Sequence, residues 1–351
     1  MTNLRLELEL LINRNVEERL FPACVIGAIT PHQKLVVAGG TFTYEDKRPV
    51  SVDSIFDTAS LTKAVPTSSL ALKLIEQKKL SLQDDIRRYL PQYKNAVTVW
   101  HLLTQTVYYE FGFALSSLAG KSAEEIMDII FKTPVKISRS ESHYTNTSSI
   151  LLGMVVEKIY GQDLAAAADQ VFFKPLDMAR SGFAPLALAP IGQIVPTEVT
   201  GEGGPVHGLV HDESARAFAR PVGSAGLFST VPDLLKFLRV LLAGGSAAGQ
   251  PIFSPRTVEL MVHNQLSGGS YTGLGWELNQ PRFMGRFANG TFGKTGFTGC
   301  LFLGNPKLKA GLVILSNHVY PKRPVDFEPV NQFRRATADL VFGSALKSIT
   351  G

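Results

Sequence analysis

The feature that most constrains the fold is the presence of strand-forming segments at both ends of the chain. Residues 23–30 and 35–40 are apolar, β-branched runs on either side of Pro31 and His32, which is typical of a hairpin. Further candidate strands lie near the other end of the chain, at residues 273–278, 298–303 and 310–317. Residues 97–245 between them have mainly helical periodicity. We therefore predict an α+β fold in which one antiparallel sheet, built from both chain ends, is flanked by helices.

The helical pattern predicts a second lobe inserted into the sheet. The predicted helices cover residues 3–20, 100–105, 123–132, 148–160, 164–173, 233–242 and 329–345. With 351 residues, the chain suits two lobes. We expect a discontinuous sheet lobe of residues 1–85 and 270–351 and a helical lobe of residues 86–269. A cleft between the lobes is the expected location of the functional site.

Composition excludes several classes of function. The net charge is +5, but lysine and arginine are scattered, so a nucleic-acid partner is poorly supported. Charged residues interrupt the apolar N-terminal stretch, and no segment is long enough to span a membrane. The sequence as given predicts a soluble cytoplasmic protein, or a periplasmic or secreted one if a leader was removed. Cys24 and Cys300 lie in apolar runs and are expected to be buried thiols.

Ser60 and Lys63 are the first candidate catalytic pair. An extended piece that ends at Phe56 leads into a small-residue turn, and a helical run follows through Leu74. Ser60 is thus expected near a helix N-terminus, with Lys63 three residues later on the same face. A neutral lysine can take the proton of a serine hydroxyl and make it nucleophilic. The spacing alone favours a capping serine and a solvated lysine, and Pro66 must sit in the first turn or kink the helix.

Tyr144 and Asn146 form a second candidate motif, just before a predicted helix. Two residues apart in an extended segment, their side chains lie on one side of the backbone. A tyrosine whose pKa is lowered by lysines can shuttle a proton, and an asparagine can hold a substrate carbonyl. Taken alone, the pair also fits a turn tyrosine and a helix-capping asparagine.

Lys294, Thr295 and Gly296 form a third candidate motif, expected at the start of a strand. Gly296 would let a ligand or another backbone segment come close, although Lys294 could also face water at a strand edge. A phosphate-binding loop would require glycine where Ala288 stands and a helix afterwards. We therefore discount phosphate binding.

Together the three motifs resemble those of the serine β-lactamase and penicillin-binding-protein superfamily. The sequence most resembles those of class C β-lactamases, D-alanyl-D-alanine peptidases and the related family VIII carboxylesterases. The resemblance extends over roughly residues 20–320, because further stretches are similar to sequences usual in the family. These stretches are residues 101–104, 144–153, 210–213, 226–230 and 295–299.

The resemblance implies a role for each candidate residue. Ser60 is the implied nucleophile, and Lys63 and Tyr144 move its proton. Asn146 would orient the acyl side of the substrate, and Lys294 would supply positive charge that keeps Tyr144 ionisable. Substrate binding would also involve Thr295, Gly296 and Phe297, and the backbone N–H groups of Ser60 and Phe297 would form the oxyanion hole.

The predicted activity is a carboxylesterase with weak β-lactamase activity, acting on a small ester, lactam or amide. The alternatives are a D-alanyl-D-alanine carboxypeptidase or D-aminopeptidase, a true β-lactamase, and a penicillin-binding sensor that acylates without turnover. The sequence contains no G-x-S-x-G elbow and no metal-binding motif, so neither a metal nor a cofactor is expected.

One stretch departs from the sequence usual in the family, and one residue pair suggests a different mechanism. Residues 105–113 stand where many relatives have the sequence His-Thr-Ser-Gly. They include four aromatic side chains, which predict an apolar wall beside the cleft. His211 and Asp212 suggest a serine-histidine-aspartate triad, but Lys63 and Tyr144 already supply the base. We therefore interpret His211 and Asp212 as loop residues.

Overall fold

A six-stranded sheet forms the centre of the computed structural model, which describes residues 4–109, 120–247 and 249–350. All neighbouring strands of this sheet are antiparallel. Two strands come from the N-terminal part of the chain and four from the C-terminal part, which confirms the predicted sheet. In spatial order the strands are β2 (Lys34–Gly40), β1 (Ala23–Ile29), β12 (Ala310–Ser316), β11 (Leu301–Asn305), β10 (Phe292–Thr295) and β9 (Glu277–Leu278).

Shorter strand pairs and helices make up the rest. The short pairs are β3 (Phe56–Asp57) with β6 (Phe228–Ser229), β4 (Val107–Tyr109) with β5 (Val135–Ile137), and β7 (Ser246–Ala247) with β8 (Gln250–Pro251). The helices are α1 (Leu4–Glu17), α2 (Ser69–Glu76), α3 (Val99–Leu103), α4 (Ala123–Lys132), α5 (Asn146–Tyr160), α6 (Leu164–Ala168), α7 (Pro185–Leu188), α8 (Glu213–Ala217), α9 (Val231–Leu242), α10 (Pro255–Val262), α11 (Pro281–Met284) and α12 (Glu328–Thr350).

Capping residues mark the ends of several helices, whereas the apolar pattern predicted some strand ends incorrectly. Ser122 and Glu125 form a capping box at the start of α4, and Gly161, in left-handed conformation, ends α5. The predicted strand 298–303 was wrong at its start, because residues 296–300 form a turn before β11. Of the predicted strand 273–278, β9 alone pairs in the sheet.

The sheet is packed on both faces. Helices α1 and α12 cover one face, where Leu8, Ile12 and Phe342 are fully buried. Helix α9 packs against the other face, close enough that a Cβ on Gly27 would lie 2.4 Å from Val231. A larger side chain there would push α9 away from the sheet.

The two-lobe division remains a prediction. Helix α9 lies in the sequence assigned to the helical lobe, yet it packs directly on β1 and β12 of the sheet. Among the described residues, no helix combines the length and apolarity needed to cross a membrane.

Candidate active site

The backbone around Ser60 differs from the predicted N-terminus of a helix. Residues Ala59–Lys63 form a short 3-10 helix. Residues 64–68 then form a π turn in which Val65 leaves helical geometry (φ −116°, ψ 103°), and α2 begins at Ser69. The predicted helix is therefore kinked, one of the two outcomes expected for Pro66, and α2 ends at Glu76.

The short helix nevertheless brings the serine and lysine together. Lys63 Nζ lies 2.9 Å from Ser60 Oγ and donates a second hydrogen bond to the Ser224 carbonyl at 2.8 Å. The Tyr144 hydroxyl oxygen lies 2.6 Å from the same Ser60 Oγ. The three side chains are therefore placed for proton transfer to and from Ser60.

Gln105, which the sequence analysis left unassigned, holds the segment around Tyr144. The Gln105 carbonyl accepts a hydrogen bond from the His143 N–H at 2.6 Å, and its side-chain oxygen accepts one from the Thr145 N–H at 3.0 Å. The residues on both sides of Tyr144 are thus fixed by one residue, while the Tyr144 side chain itself is 56% exposed to the cleft.

The charges around Tyr144 favour its phenolate. Partial loss of solvent in the cleft raises the pKa of Tyr144, but the positive charges of Lys63 and Lys294 and the hydrogen bonds with Ser60 and Lys63 together outweigh that effect, so its pKa is lower than usual. Lys63 Nζ and Lys294 Nζ lie 5.1 Å and 4.4 Å from the centre of the ring. A lower pKa increases the fraction of tyrosine present as phenolate, the form that can accept a proton.

Lys294 lies near the end of β10, so the prediction that it starts a strand was wrong. Its ammonium group forms an ion pair with Glu277 of the neighbouring strand β9. Burial lowers the pKa of Lys294, but the negative charge of Glu277, the charge of Tyr144 and the hydrogen bond to Glu277 together outweigh burial, and the pKa is raised overall. Lys294 therefore stays protonated beside Tyr144.

The turn after β10 brings Phe297 next to the turn that carries Ser60, residues 58–63, which is called the nucleophile turn below. A Cβ on Gly296 would lie 2.5 Å from the Thr58 carbonyl oxygen, so a larger residue would separate the two turns. The buried Arg334 donates to the carbonyls of Gly296 and Cys300, each at 2.9 Å. Within the described residues, the Phe297 N–H has no hydrogen-bond acceptor, as an oxyanion-hole donor requires.

Asn146 is the first residue of α5, and its amide is held by an aspartate. Its Nδ2 atom donates to Asp212 Oδ2 at 3.0 Å. Asp212 also caps α8 by accepting from the Ala215 N–H. His211 is buried, pairs with Glu198 at 3.0 Å and stacks on Phe297. His211 and Asp212 thus belong to the wall of the site, and the interpretation as plain loop residues was incomplete.

One pocket of about 640 Å³ brings all the predicted site residues together. Its lining includes the eight predicted residues Ser60, Lys63, Tyr144, Asn146, Lys294, Thr295, Gly296 and Phe297. It also includes four that the motifs missed, Gln105, Trp276, Glu277 and Arg334, and the two that were interpreted as loop residues, His211 and Asp212. An aspartate just before a helix is a capping signal in the sequence, but nothing in the sequence alone indicates that Gln105 would contact the tyrosine segment.

Two further predictions concern the surroundings of the pocket. Cys24 and Cys300 are buried free thiols, as expected, and burial raises the pKa of Cys300 to about 11. In the predicted aromatic wall, Tyr108 is exposed and is not among the lining residues. Positions 110–113 of that wall lie outside the described residues. No cluster of histidine, cysteine or carboxylate side chains suited to a metal occurs in the described part of the chain.

The fold and site define a serine hydrolase of the β-lactamase type, and comparison with known proteins agrees. The model of the Beta-lactamase family matches residues 12–336, and the chain therefore belongs to that family. A provisionally named D-alanyl-D-alanine carboxypeptidase of Escherichia coli (strain K12) is 27% identical over an alignment of 323 positions that covers 82% of this chain and 74% of that protein.

Solved structures share the fold at lower identity. The octameric penicillin-binding protein homologue from Pyrococcus abyssi has a TM-score of 0.77 at 22% identity, covering 96% of this chain and 77% of that one. EstCE1, described as a hydrolase with promiscuous acyltransferase activity, has a TM-score of 0.75 at 20% identity and covers 95% and 97%. The D-alanine carboxypeptidase AmpC from Burkholderia cenocepacia has a TM-score of 0.75 at 21% identity and covers 97% and 99%.

Proposed function

We propose that this chain is a carboxylesterase that forms an acyl-enzyme on Ser60. The observation that carries the proposal is the position of Ser60 Oγ, 2.9 Å from Lys63 Nζ and 2.6 Å from the Tyr144 hydroxyl oxygen. A serine becomes nucleophilic when an adjacent base takes its proton. The Tyr144 phenolate can serve as that base, and the positive charge of Lys63 beside it lowers the pKa of Tyr144.

Acylation proceeds in two proton transfers. The Tyr144 phenolate takes the proton of Ser60, and Oγ attacks the carbonyl carbon of the substrate. The N–H groups of Ser60 and Phe297 stabilise the resulting oxyanion, and each such donor contributes roughly a hundredfold to the rate. Tyr144 then returns its proton to the leaving alkoxide as the carbonyl re-forms. Water repeats the sequence on the acyl-enzyme and releases the acid.

The pocket wall favours an ester with an apolar acyl or alcohol group. Leu103, Trp276, Phe297 and Phe327 form an apolar part of the lining, beside the catalytic residues and several charged side chains. Apolar side chains around a few polar groups are the usual composition of small-molecule sites. Burial of this surface would bind hydrophobic groups without needing a charged partner on the substrate.

A D-alanyl-D-alanine carboxypeptidase is the second candidate, favoured by a different observation. The guanidinium of Arg334 lines the pocket and has carbonyl and amide partners rather than a carboxylate. Burial lowers its pKa to about 10, so the group is charged at neutral pH. With Lys294 nearby, it could pair with the terminal carboxylate of a peptide. The name of the Escherichia coli relative agrees with this alternative.

A substrate panel tests the proposal. The wild-type protein and Ser60→Ala are incubated with p-nitrophenyl butyrate, with a diacylated tripeptide ending in D-alanyl-D-alanine, and with nitrocefin. We expect rapid ester hydrolysis, slow nitrocefin hydrolysis and little release of D-alanine. If the peptide is turned over faster than the ester, the protein would be assigned as a carboxypeptidase and the esterase proposal would be wrong. A stable adduct without turnover of any substrate would indicate a sensor.

A further inference from the structure

Asp57 is a buried carboxylate near the nucleophile that the mechanism above does not use. It lies three residues before Ser60, at the end of β3, and is 2% exposed. Its Oδ1 atom accepts a hydrogen bond from the Ala59 N–H at 2.8 Å, and its Oδ2 atom accepts one from the His211 N–H at 2.7 Å. Burial raises the pKa of Asp57, so retaining this carboxylate carries a desolvation cost.

The first of these bonds holds an unfavourable backbone conformation directly before the nucleophile. Ala59 has φ of +48°, in the left-handed region that residues with a Cβ seldom adopt. That conformation turns the chain from β3 into the short helix and so sets the direction of Ser60 Oγ. Such a conformation persists when its surroundings hold it, and the bond from Ala59 to Asp57 is one such restraint.

The second bond reaches the opposite wall of the pocket. His211 stacks on the Phe297 ring, with ring centroids 5.7 Å apart. The next residue, Asp212, holds the amide of Asn146. The backbone carbonyl of Asp57 also accepts from the Thr298 hydroxyl at 2.8 Å. Asp57 therefore connects the nucleophile turn to the segments that carry Phe297 and Asn146.

We infer that Asp57 is a positioning residue for acylation: through Ala59 and His211 it aligns Ser60 Oγ with the oxyanion-hole donors and with the residues that orient the substrate. The inference rests on the proposed function, because it assigns Asp57 a part in acylation at Ser60. Asp57 is not among the residues that line the pocket, so its effect on the reaction passes through backbone geometry.

The test combines Asp57→Asn with Ala59→Gly. Asparagine keeps the size but places an N–H group against one of the two backbone N–H groups. We expect the single-turnover acylation rate of Asp57→Asn with p-nitrophenyl butyrate to fall about a hundredfold, as for other small misplacements, with KM changed less than kcat. Glycine adopts positive φ without a Cβ penalty, so adding Ala59→Gly should restore about tenfold of the rate.

Asp233→Asn is the matched control. Asp233 is also buried and accepts a hydrogen bond from a backbone N–H, that of Arg180, but it does not line the pocket. We expect its acylation rate to stay near the wild-type value in the folded fraction. Ala59→Gly alone, measured in parallel, gives the reference for the coupling between positions 57 and 59.

Several results would overturn the inference. Wild-type acylation by folded Asp57→Asn would do so, and so would a loss that Ala59→Gly fails to reduce. If Asp57→Asn does not fold, Asp57→Ser replaces it: its hydroxyl can accept from Ala59 but is too short for His211, and unchanged acylation would also contradict the inference. Failure of the proposed function looks different, because it appears in the wild-type protein: no adduct on Ser60, an adduct that does not turn over, or faster turnover of the peptide than of the ester.

Discussion

The turn that carries Ser60 and the segment around Tyr144 (residues 143–145) meet at the proposed reaction site, but they are held in different ways. Lys63 is buried and contacts Ser60 from the same short helix. Tyr144 is more exposed and reaches Ser60 from a segment 84 residues away in the chain. The position of Lys63 is therefore fixed by local geometry, whereas that of Tyr144 depends on tertiary contacts.

This difference suggests a division of labour. A buried lysine with two fixed hydrogen bonds is suited to holding the serine and its charge in place. A more exposed tyrosine with a lowered pKa is suited to moving a proton between serine, substrate and water. Substitutions on the two sides should differ in size and in pH dependence.

The largest of these effects is expected at Lys63. Lys63→Ala removes the ammonium group that contacts Ser60 Oγ and that lowers the pKa of Tyr144. The acylation rate should fall about a thousandfold. Stopped-flow measurement with p-nitrophenyl butyrate gives the rate, with Lys79→Ala, an exposed lysine just after α2, as the control. Comparable losses in both variants would argue against a specific role for Lys63.

Tyr144→Phe should have the next largest effect. It removes the hydroxyl that lies 2.6 Å from Ser60 Oγ and leaves the ring in place. We expect kcat to fall about a hundredfold, because general acid–base catalysis is lost while Lys63 remains. The exposed Tyr108 provides the control Tyr108→Phe. Equal activity of Tyr144→Phe and wild type would assign proton transfer to Lys63 alone.

Lys294→Met tests the electrostatic part of the comparison. The positive charge of Lys294 lowers the pKa of Tyr144, so its removal should raise that pKa. Activity that requires the phenolate rises as pH increases through the pKa, and the rising limb of the kcat/KM profile should therefore move to higher pH. At neutral pH we expect a loss of about thirtyfold.

Lys307→Met, in the turn after β11, is the control for Lys294→Met. It should leave the pH profile unchanged, because Lys307 is exposed and outside the pocket lining. A rising limb at the same pH in Lys294→Met and wild type would show that Lys294 does not set the protonation of Tyr144.

The smallest effect is expected at Gln105. Gln105→Ala removes the acceptor for the Thr145 N–H but keeps the carbonyl that binds His143. The tyrosine should become less well positioned, and kcat should fall about tenfold or less. Gln162→Ala, which removes an amide pair with Gln170 on the surface, is the control. A full loss of activity would mean that Gln105 has a larger role than holding the segment.

Sequence reasoning worked best where local pattern and tertiary structure agree. The apolar runs at 23–40 and 310–317 predicted a sheet from both chain ends because buried central strands are continuously apolar, and β12 is buried throughout. The spacing of Ser60 and Lys63 placed both side chains on one face, but their assignment as a catalytic pair required the other two motifs. Tyr144 and Lys294 joined them through motif resemblance, because no local pattern reveals contacts between distant segments.

The sequence was less informative where backbone geometry decides. Pro66 indicated a break, but the 3-10 and π turns around it were not predicted, since several local geometries satisfy the same residues. Gln105 and Asp57 act through backbone N–H groups far away in sequence or in unusual conformations. Their side chains carry no sequence signal for such partners.

The most direct test of the central claim is to identify the acylated residue. Wild-type protein and Ser60→Ala are mixed with p-nitrophenyl butyrate, quenched with acid within one turnover, and analysed by intact mass and peptide mapping. We predict one butyryl group on the peptide that contains Ser60 in wild type and none in Ser60→Ala. A butyryl group on another residue, or ester turnover by Ser60→Ala at the wild-type rate, would contradict the account.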